Sequence, residues 1–356
     1  MSEFDKYIVQ GEPNKKAKAN AWQTAIGLQD VDGLKPSEYL IKTAVQHIEG
    51  DITIDQVKDM LDTYYETKDV REHLDDERTE EADKVSARIT EILSEQSFSF
   101  TPDYLLRIHR RLFEGIYKHA GQLRDVNITK KEWVLNGDTV LYSNYDMLRE
   151  TLEYDFEQEK KTDYSVLNAN MAVKQICKFV SGIWQIHPFR EGNTRTTAVF
   201  TMKWLQTFGF SVDNDVFKDN SWYFRNALVR ANYNNIPKRI FATSGYLELF
   251  FRNLLFGEQN KLSNRTMLAG DPQSATQEIS KSQNGTLNGT LNCNLDELAL
   301  LRFVKENPDA TQIEIAKHIG KSERTVKRMT PALIERGLLE RENGKRNGKW
   351  IVKCEI

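Results

Sequence analysis

The sequence has little cysteine: Cys177, Cys293 and Cys354 stand far apart among 356 residues, with no CxxC pair. Neither a disulfide framework nor a zinc knuckle is expected, and a reducing cytoplasm is the simplest setting. Eight prolines and nineteen glycines are too few for a collagen-like or wholly low-complexity chain. No apolar run approaches the ~18 residues that begin to suggest a membrane span. The opening MSEFDKYIVQGEPNKKAK has no signal-peptide core, so no membrane association is expected. Neither sign of charge dominates, with 49 Lys and Arg against 52 Asp and Glu and a net −3. That argues against a chain coating nucleic acid along its length and leaves room for one basic module.

What is present is an ordinary soluble composition, 39% hydrophobic and 28% charged, long enough for two or three domains. The fold class read from it is mainly α. Residues 1–97 read as polar helices, including one capped at Ser37, carrying Tyr39, Leu40, Ala44, Val45 and Ile48 at helical spacing, and stopped by Gly50. A further helix follows from Ile54, Val57, Met60 and Leu61, and the charged run from Glu66 to Glu95 reads as a solvated helix. Residues 98–257 open with Thr101-Pro102-Asp103, a hydroxyl cap with proline in the first turn. Within them Trp133–Tyr142 places two β-prone arms around Asn136-Gly137, which predicts a hairpin. Residues 258–294, with QSATQEISKSQNGTLNGTLN, read as a flexible linker, and residues 295–356 as a separate small domain.

One stretch concentrates chemistry: Ile186-His187-Pro188-Phe189-Arg190-Glu191-Gly192-Asn193-Thr194-Arg195, set between two apolar helical patterns. Pro188 disfavours helix at His187, so the first helix should end there, and Asn193 suits a cap for the second. A Gly-Asn turn opening a helix offers free N–H groups to an anion, and Arg195 in the first turn adds a planar cation for phosphate. Glu191 is a hard oxygen ligand suited to Mg²⁺ bridging phosphates. His187 is the group able to take a hydroxyl proton near neutral pH. The bland alternative, a structural histidine beside an ordinary helix cap, stands beside this reading.

The string HPFREGNTRT resembles the signature of the Fic family, HPFx(D/E)GNxRxxR, and IHRRLFEGIYKHAGQLRDVNITK (residues 108–130) resembles the block upstream of it. The resemblance implies an all-α core with a small β-hairpin flap, the flap falling at 133–142. It implies transfer of AMP from ATP-Mg²⁺ to a Ser, Thr or Tyr hydroxyl of a target protein, or of the chain itself, with release of pyrophosphate. His187 falls at the general base, Glu191 at the Mg²⁺ ligand, and Gly192, Asn193, Thr194 and Arg195 where phosphates bind. Asn232 matches a nucleotide-contacting position and Phe224 one near adenine. The flap would hold the target as an extended segment by strand addition.

Two positions depart from what is usual in the family: Thr194 replaces the usual glycine, and Ala198 replaces the second arginine of the signature. They keep open another nucleotide donor, or a nucleotide-sensing transcriptional regulator with little turnover. Many members carry an inhibitory helix with (S/T)xxxE(G/N). Residues 45–50, Val-Gln-His-Ile-Glu-Gly, match its acidic end, which makes Glu49 the candidate inhibitory residue, acting through Arg195 or by blocking the γ-phosphate.

Residues 295–356 hold 13 basic and 10 acidic side chains, a net +3, so the remainder of the chain is at −6. Helix, helix, turn, helix and two short strands resemble a winged helix-turn-helix. Arg324, Lys327 and Arg328 would lie on its recognition helix, with Lys345 and Arg346 at the wing tip, placed for DNA phosphates. Pro331 should kink or shorten that helix. A protein-binding or dimerising winged helix is the alternative, and a homodimer is left open.

Overall fold

A computed structural model describes residues 3–67, 74–210, 216–270, 292–342 and 348–354. The N-terminal region contributes α1 (Asp5–Gln10), α2 (Pro13–Gly27), a 3-10 turn (Leu28–Asp32), α3 (Glu38–Glu49), α4 (Ile54–Thr67) and α5 (Leu74–Ser94). The central region holds α6 (Pro102–Phe113), α7 (Leu148–Lys160), α8 (Ala169–Ile186), α9 (Asn193–Gln206), α10 (Val216–Ala231) and α11 (Gly245–Phe256). The C-terminal module has α12 (Leu295–Glu306), α13 (Gln312–His318), α14 (Glu323–Glu335), β1 (Leu339–Glu342) and β2 (Lys349–Val352). Among the described residues the two strands form the only sheet, an antiparallel pair with Leu339 opposite Val352 and Glu342 opposite Lys349.

Local chemistry starts these helices where the sequence marks them. Ser37 Oγ accepts from Leu40 N–H and Thr101 Oγ1 from Tyr104 N–H, each taking one of the orphan donors of a first turn. Gly50 ends α3 at φ 92°, a conformation that glycine adopts at little cost. The tertiary centre is α9. Every residue from Asn193 to Leu205 is buried, with α5, α6 and α8 packed around it. Phe156 and Phe200, both 0% exposed, lie in the aromatic cluster beside it, and each such side chain contributes roughly 1.5–3 kcal/mol by burial. A smaller apolar cluster joins α1 to α4 around Tyr7, Trp22, Leu40 and Leu61.

Four expectations change. The run read as a solvated helix is α5, and it is central: Ala82, Val85, Ile89 and Ile92 are fully buried. Its buried Asp83 is satisfied by Ser37 and by Tyr65 Oη at 2.7 Å, so a charged sequence hides a core helix. The hairpin at 133–142 is a turn without paired strands. Trp133–Leu135 is a 3-10 turn followed by Asn136 and Gly137 at positive φ, and Glu132 N–H donates to Asp138 O at 2.9 Å. Val134 and Leu135 are both buried in succession, which breaks the alternation a strand needs, and Val134 O takes Ala269 N–H instead.

The linker expected from residue 258 begins later. Residues 258–270 pack on the core through buried Met267 and through Asn136 Nδ2 donating to Ala269 O; residues 271–291 lie outside the described residues. Finally, α14 continues through Pro331 to Glu335. The C-terminal module sits directly on the central region. Gly209, just past α9, is so close to α13 that a Cβ there would lie 2.7 Å from Ile319 Cα, and Arg302 donates to the Leu254 and Leu255 carbonyls at the end of α11.

Candidate active site

The loop between α8 and α9 is held from three sides. At its start, His187 ends α8 in the left-handed region (φ 51°), its N–H donating to Trp184 O. Its Nδ1 lies 3.2 Å from the same carbonyl, which assigns the ring proton to Nδ1 and leaves Nε2 as the free basic nitrogen. Burial, with Lys130, Arg124 and Arg225 nearby, holds the imidazole neutral, well below its ordinary pKa. The Tyr142 ring lies 4.2 Å from it, centroid to centroid, and Trp184 presents an edge at 5.3 Å.

Arg124 secures the backbone of this loop. It is 2% exposed and donates to the carbonyls of His187 (2.8 Å), Val126 (2.7 Å), Ile186 and Ser143, while its own N–H donates to Pro188 O. His109, on α6, secures the middle. Its ring stacks on Phe189 at 3.7 Å; Gly121 N–H donates to Nδ1 and Nε2–H donates to Glu191 O. Burial pushes its pKa down to about 3, so it serves as a neutral bridge. The loop's end is fixed by sterics: Gly192 has φ 73°, and a Cβ would lie 2.3 Å from the Phe113 ring. Neither Arg124 nor His109 stands out from the sequence alone, although both fall inside the block 108–130.

Gly192 is the N-cap of α9, and Asn193 is its first helical residue. This corrects the capping role expected of Asn193. Its side chain instead closes a ring on Phe189, accepting from Phe189 N–H (2.9 Å) and donating to Phe189 O (2.8 Å). With no side chain capping α9, the N–H groups of its first turn point out of a positive helix end. Thr194 Oγ1 accepts from the Trp184 indole at 2.9 Å, so this residue serves packing through its side chain. Glu191 is exposed and lies 2.9 Å from Lys130 Nζ.

Arg195 is 1% exposed and engaged chiefly by the N-terminal region. Nη2 donates to Glu81 Oε1 (2.5 Å) and reaches Tyr117 Oη (3.3 Å); Nη1 donates to Gln29 Oε1 (3.1 Å). Nε lies 2.9 Å from Asp32 Oδ2, within ion-pair range but without a hydrogen bond's alignment, and the guanidinium covers the Phe113 ring. Burial alone would lower its pKa; Asp32, Tyr117 and Glu81 more than offset that and raise it.

The structure separates several expected site residues from this loop. Glu49 does not reach Arg195: its carboxylate, at the last residue of α3, accepts from Tyr7 Oη and lies 2.6 Å from Lys15 Nζ. Glu81 and Asp32 stand at Arg195 in its place. Phe224 is a core residue, packed on Phe217 and Phe250 about the α10–α11 contact. Asn232 Nδ2 donates to Ser181 O and Leu228 O, joining the end of α10 to α8. Arg324, Lys327 and Arg328 are exposed on α14, with Lys327 2.7 Å from Glu323; Lys345 and Arg346 lie outside the described residues.

The histidine-ended helix α8, the pinned loop and the start of the uncapped α9 all fall within residues that match one known class of domain. Residues 99–205 match the Fic/DOC family, and residues 297–340 match a winged helix-turn-helix DNA-binding family. The chain carries a Fic/DOC domain followed by a winged helix-turn-helix. It is 28% identical over 120 residues to the protein adenylyltransferase VbhT of Bartonella schoenbuchensis, covering 33% of this chain and 24% of that protein. It is 28% identical over 127 residues to the probable protein adenylyltransferase y4lH of Sinorhizobium fredii, covering 35% and 61%. The matches thus span a quarter and three-fifths of these relatives. No helix among the described residues is long and apolar enough to cross a membrane.

Proposed function

We propose that this chain is a protein adenylyltransferase that moves AMP from ATP to a hydroxyl of a target protein and of itself. The single observation that carries the reading is the free Nε2 of His187 on the loop that leads into the uncapped N-terminus of α9. The target hydroxyl oxygen attacks the α-phosphorus, the bond from that phosphorus to the bridging oxygen breaks, and pyrophosphate leaves. The hydroxyl proton passes to Nε2 of His187, and the N–H groups at the start of α9 bind the phosphate oxygens as charge shifts. The cations that add to burial in holding His187 neutral would be opposed by the bound triphosphate, raising its basicity when substrate is present.

For Mg²⁺, the donor set fits a phosphate-bridged ion. Glu191 is one exposed carboxylate, and the described residues hold no cluster of three or more His, Cys, Asp or Glu able to hold a metal alone. When bound, Mg²⁺ neutralises phosphate charge; Lys130 would have to release Glu191 for it. The extended target would lie along the turn at 130–142, where Leu141 is 84% exposed. The N-terminal region acts as a brake, since a phosphate must compete with Glu81 and Asp32 for Arg195. The exposed cations of α14 support DNA as the partner of the C-terminal module.

The sequestered Arg195 also favours a second reading, a nucleotide-sensing regulator with little turnover. Incubation with Mg²⁺ and each nucleoside triphosphate, followed by intact mass, separates the two. An AMP adduct from ATP that is lost in His187→Ala supports transfer. No adduct with any donor, including in a variant with Arg195 released, overturns it.

A further inference from the structure

One face of the His187 imidazole is covered by Tyr142, and the tyrosine is not held by packing alone. Its hydroxyl donates to Glu132 Oε1 at 3.3 Å, and both Glu132 oxygens lie within 3.1 Å of Arg225 Nη2. Glu132 is 2% exposed. A buried carboxylate with its cation partner is costly to desolvate, and a phenylalanine above His187 would fill the same space without it. The same residue organises the adjoining turn: Glu132 N–H donates to Asp138 O, and Glu132 O accepts from Leu135 and Gly137 N–H. A single buried side chain thus ties the turn that would carry the target to the ring that would receive its proton.

We infer that Glu132 and Tyr142 are positioning residues for His187: Glu132, pinned by Arg225, holds the Tyr142 ring against the imidazole so that Nε2 keeps one direction relative to the turn at 130–142. Trp184 O fixes the Nδ1 side of the ring, and the Trp184 edge bounds it further. Rotation about the ring's own bond is then opposed by Tyr142, whose own place depends on the hydroxyl contact. The inference rests on the proposed transfer activity only for its kinetic consequence.

The test uses the full chain, wild type against Tyr142→Phe and Glu132→Gln, with ¹⁵N-labelled histidine. In wild type, His187 is expected to give one set of ring signals with Nδ1 protonated and Nε2 free. In both variants those signals should broaden or split. Under saturating nucleotide, kcat should fall about ten- to a hundredfold, the scale of a small misplacement of a reacting group, with KM within about twofold. Tyr142→Phe keeps the ring and should melt close to wild type, so it decides alone if Glu132→Gln fails to fold. Unchanged His187 signals and unchanged kcat in Tyr142→Phe overturn the inference, as does a fall in kcat that only follows a fall in folded protein. If wild type modifies nothing, the transfer reading falls, and the histidine spectra still decide this one.

Discussion

Arg195 and Glu81 meet at 2.5 Å across 114 positions of sequence, joining the first turn of α9 to the middle of α5. The cation that the signature places for phosphate is thereby buried and held by two carboxylates. A nucleotide that used it would have to displace a carboxylate, and the competing contact belongs to the same chain.

Glu81→Gln keeps a hydrogen-bond acceptor and removes the charge. It should raise nucleotide affinity about tenfold, equivalent to ~1.4 kcal/mol less competition, and raise self-modification with it. It should also cost about 1–3 kcal/mol of stability, because a buried cation loses a charged partner. Titration calorimetry and urea melts read the two effects. Glu49→Gly should move affinity much less, since Glu49 is held by Tyr7 and Lys15. Equal affinity in wild type and Glu81→Gln would remove the brake.

Gly192→Ala tests whether the loop needs glycine for space as well as for its dihedral angle. A methyl group would meet Phe113 Cε2 at 2.3 Å on a backbone with φ 73°. The substitution should destabilise the domain by about 1–3 kcal/mol and abolish self-modification even in the folded fraction. Wild-type melting and activity would show that Phe113 can step aside.

Low pH should weaken the fold through its buried histidines. His47 and His109 are held down to about 4 and about 3, in both cases chiefly by burial. Their folded pKa values lie below the unfolded value near 6.5, so the unfolded chain takes up protons that the folded chain refuses. The contribution is intact above about 6.5 and is lost as pH falls toward the folded values, by ~1.4 kcal/mol per pH unit for each ring. Urea melts at pH 6.5 and pH 5 should therefore differ by roughly 2 kcal/mol per buried histidine. A flat profile over that window contradicts it.

The exposed cations of α14 predict salt-sensitive binding to duplex DNA. Replacing Arg324, Lys327 and Arg328 with alanine should flatten the slope of log affinity against log salt by about 2–3, near 0.9 for each phosphate no longer neutralised. Gel shifts of the full chain at several salt concentrations measure this. No shift of wild type at ~50 mM salt favours a protein partner for the module.

Much of this organisation was legible one residue at a time. Ser37, Thr101 and Pro102 announce helix starts through their own hydrogen-bonding and dihedral preferences, and Pro188 ends α8 as its ring demands. The apolar spacing of residues 295–356 was enough for the winged helix, because a small module shows nearly all of its core in a few helices. The flap was less legible. Asn136-Gly137 does turn the chain, but whether the arms pair depends on what else claims their carbonyls, and Ala269 claims one. The charge of α5 misled for a similar reason: burial of Asp83 is tolerable only because Ser37 and Tyr65 arrive from other helices.

The sequence by itself determined the residues able to do chemistry, His187, Glu191 and Arg195, and the glycine their loop requires, because those are properties of side chains and local dihedral angles. Only the tertiary structure decided which of them are free. Arg195 is paired with Glu81 and Asp32 and hydrogen-bonded to Gln29, the His187 ring is covered by Tyr142, and Phe224 is spent in the core. Partnering across the fold depends on which helices pack together, and that is set by the whole apolar core, with no mark beside the residues it brings into contact.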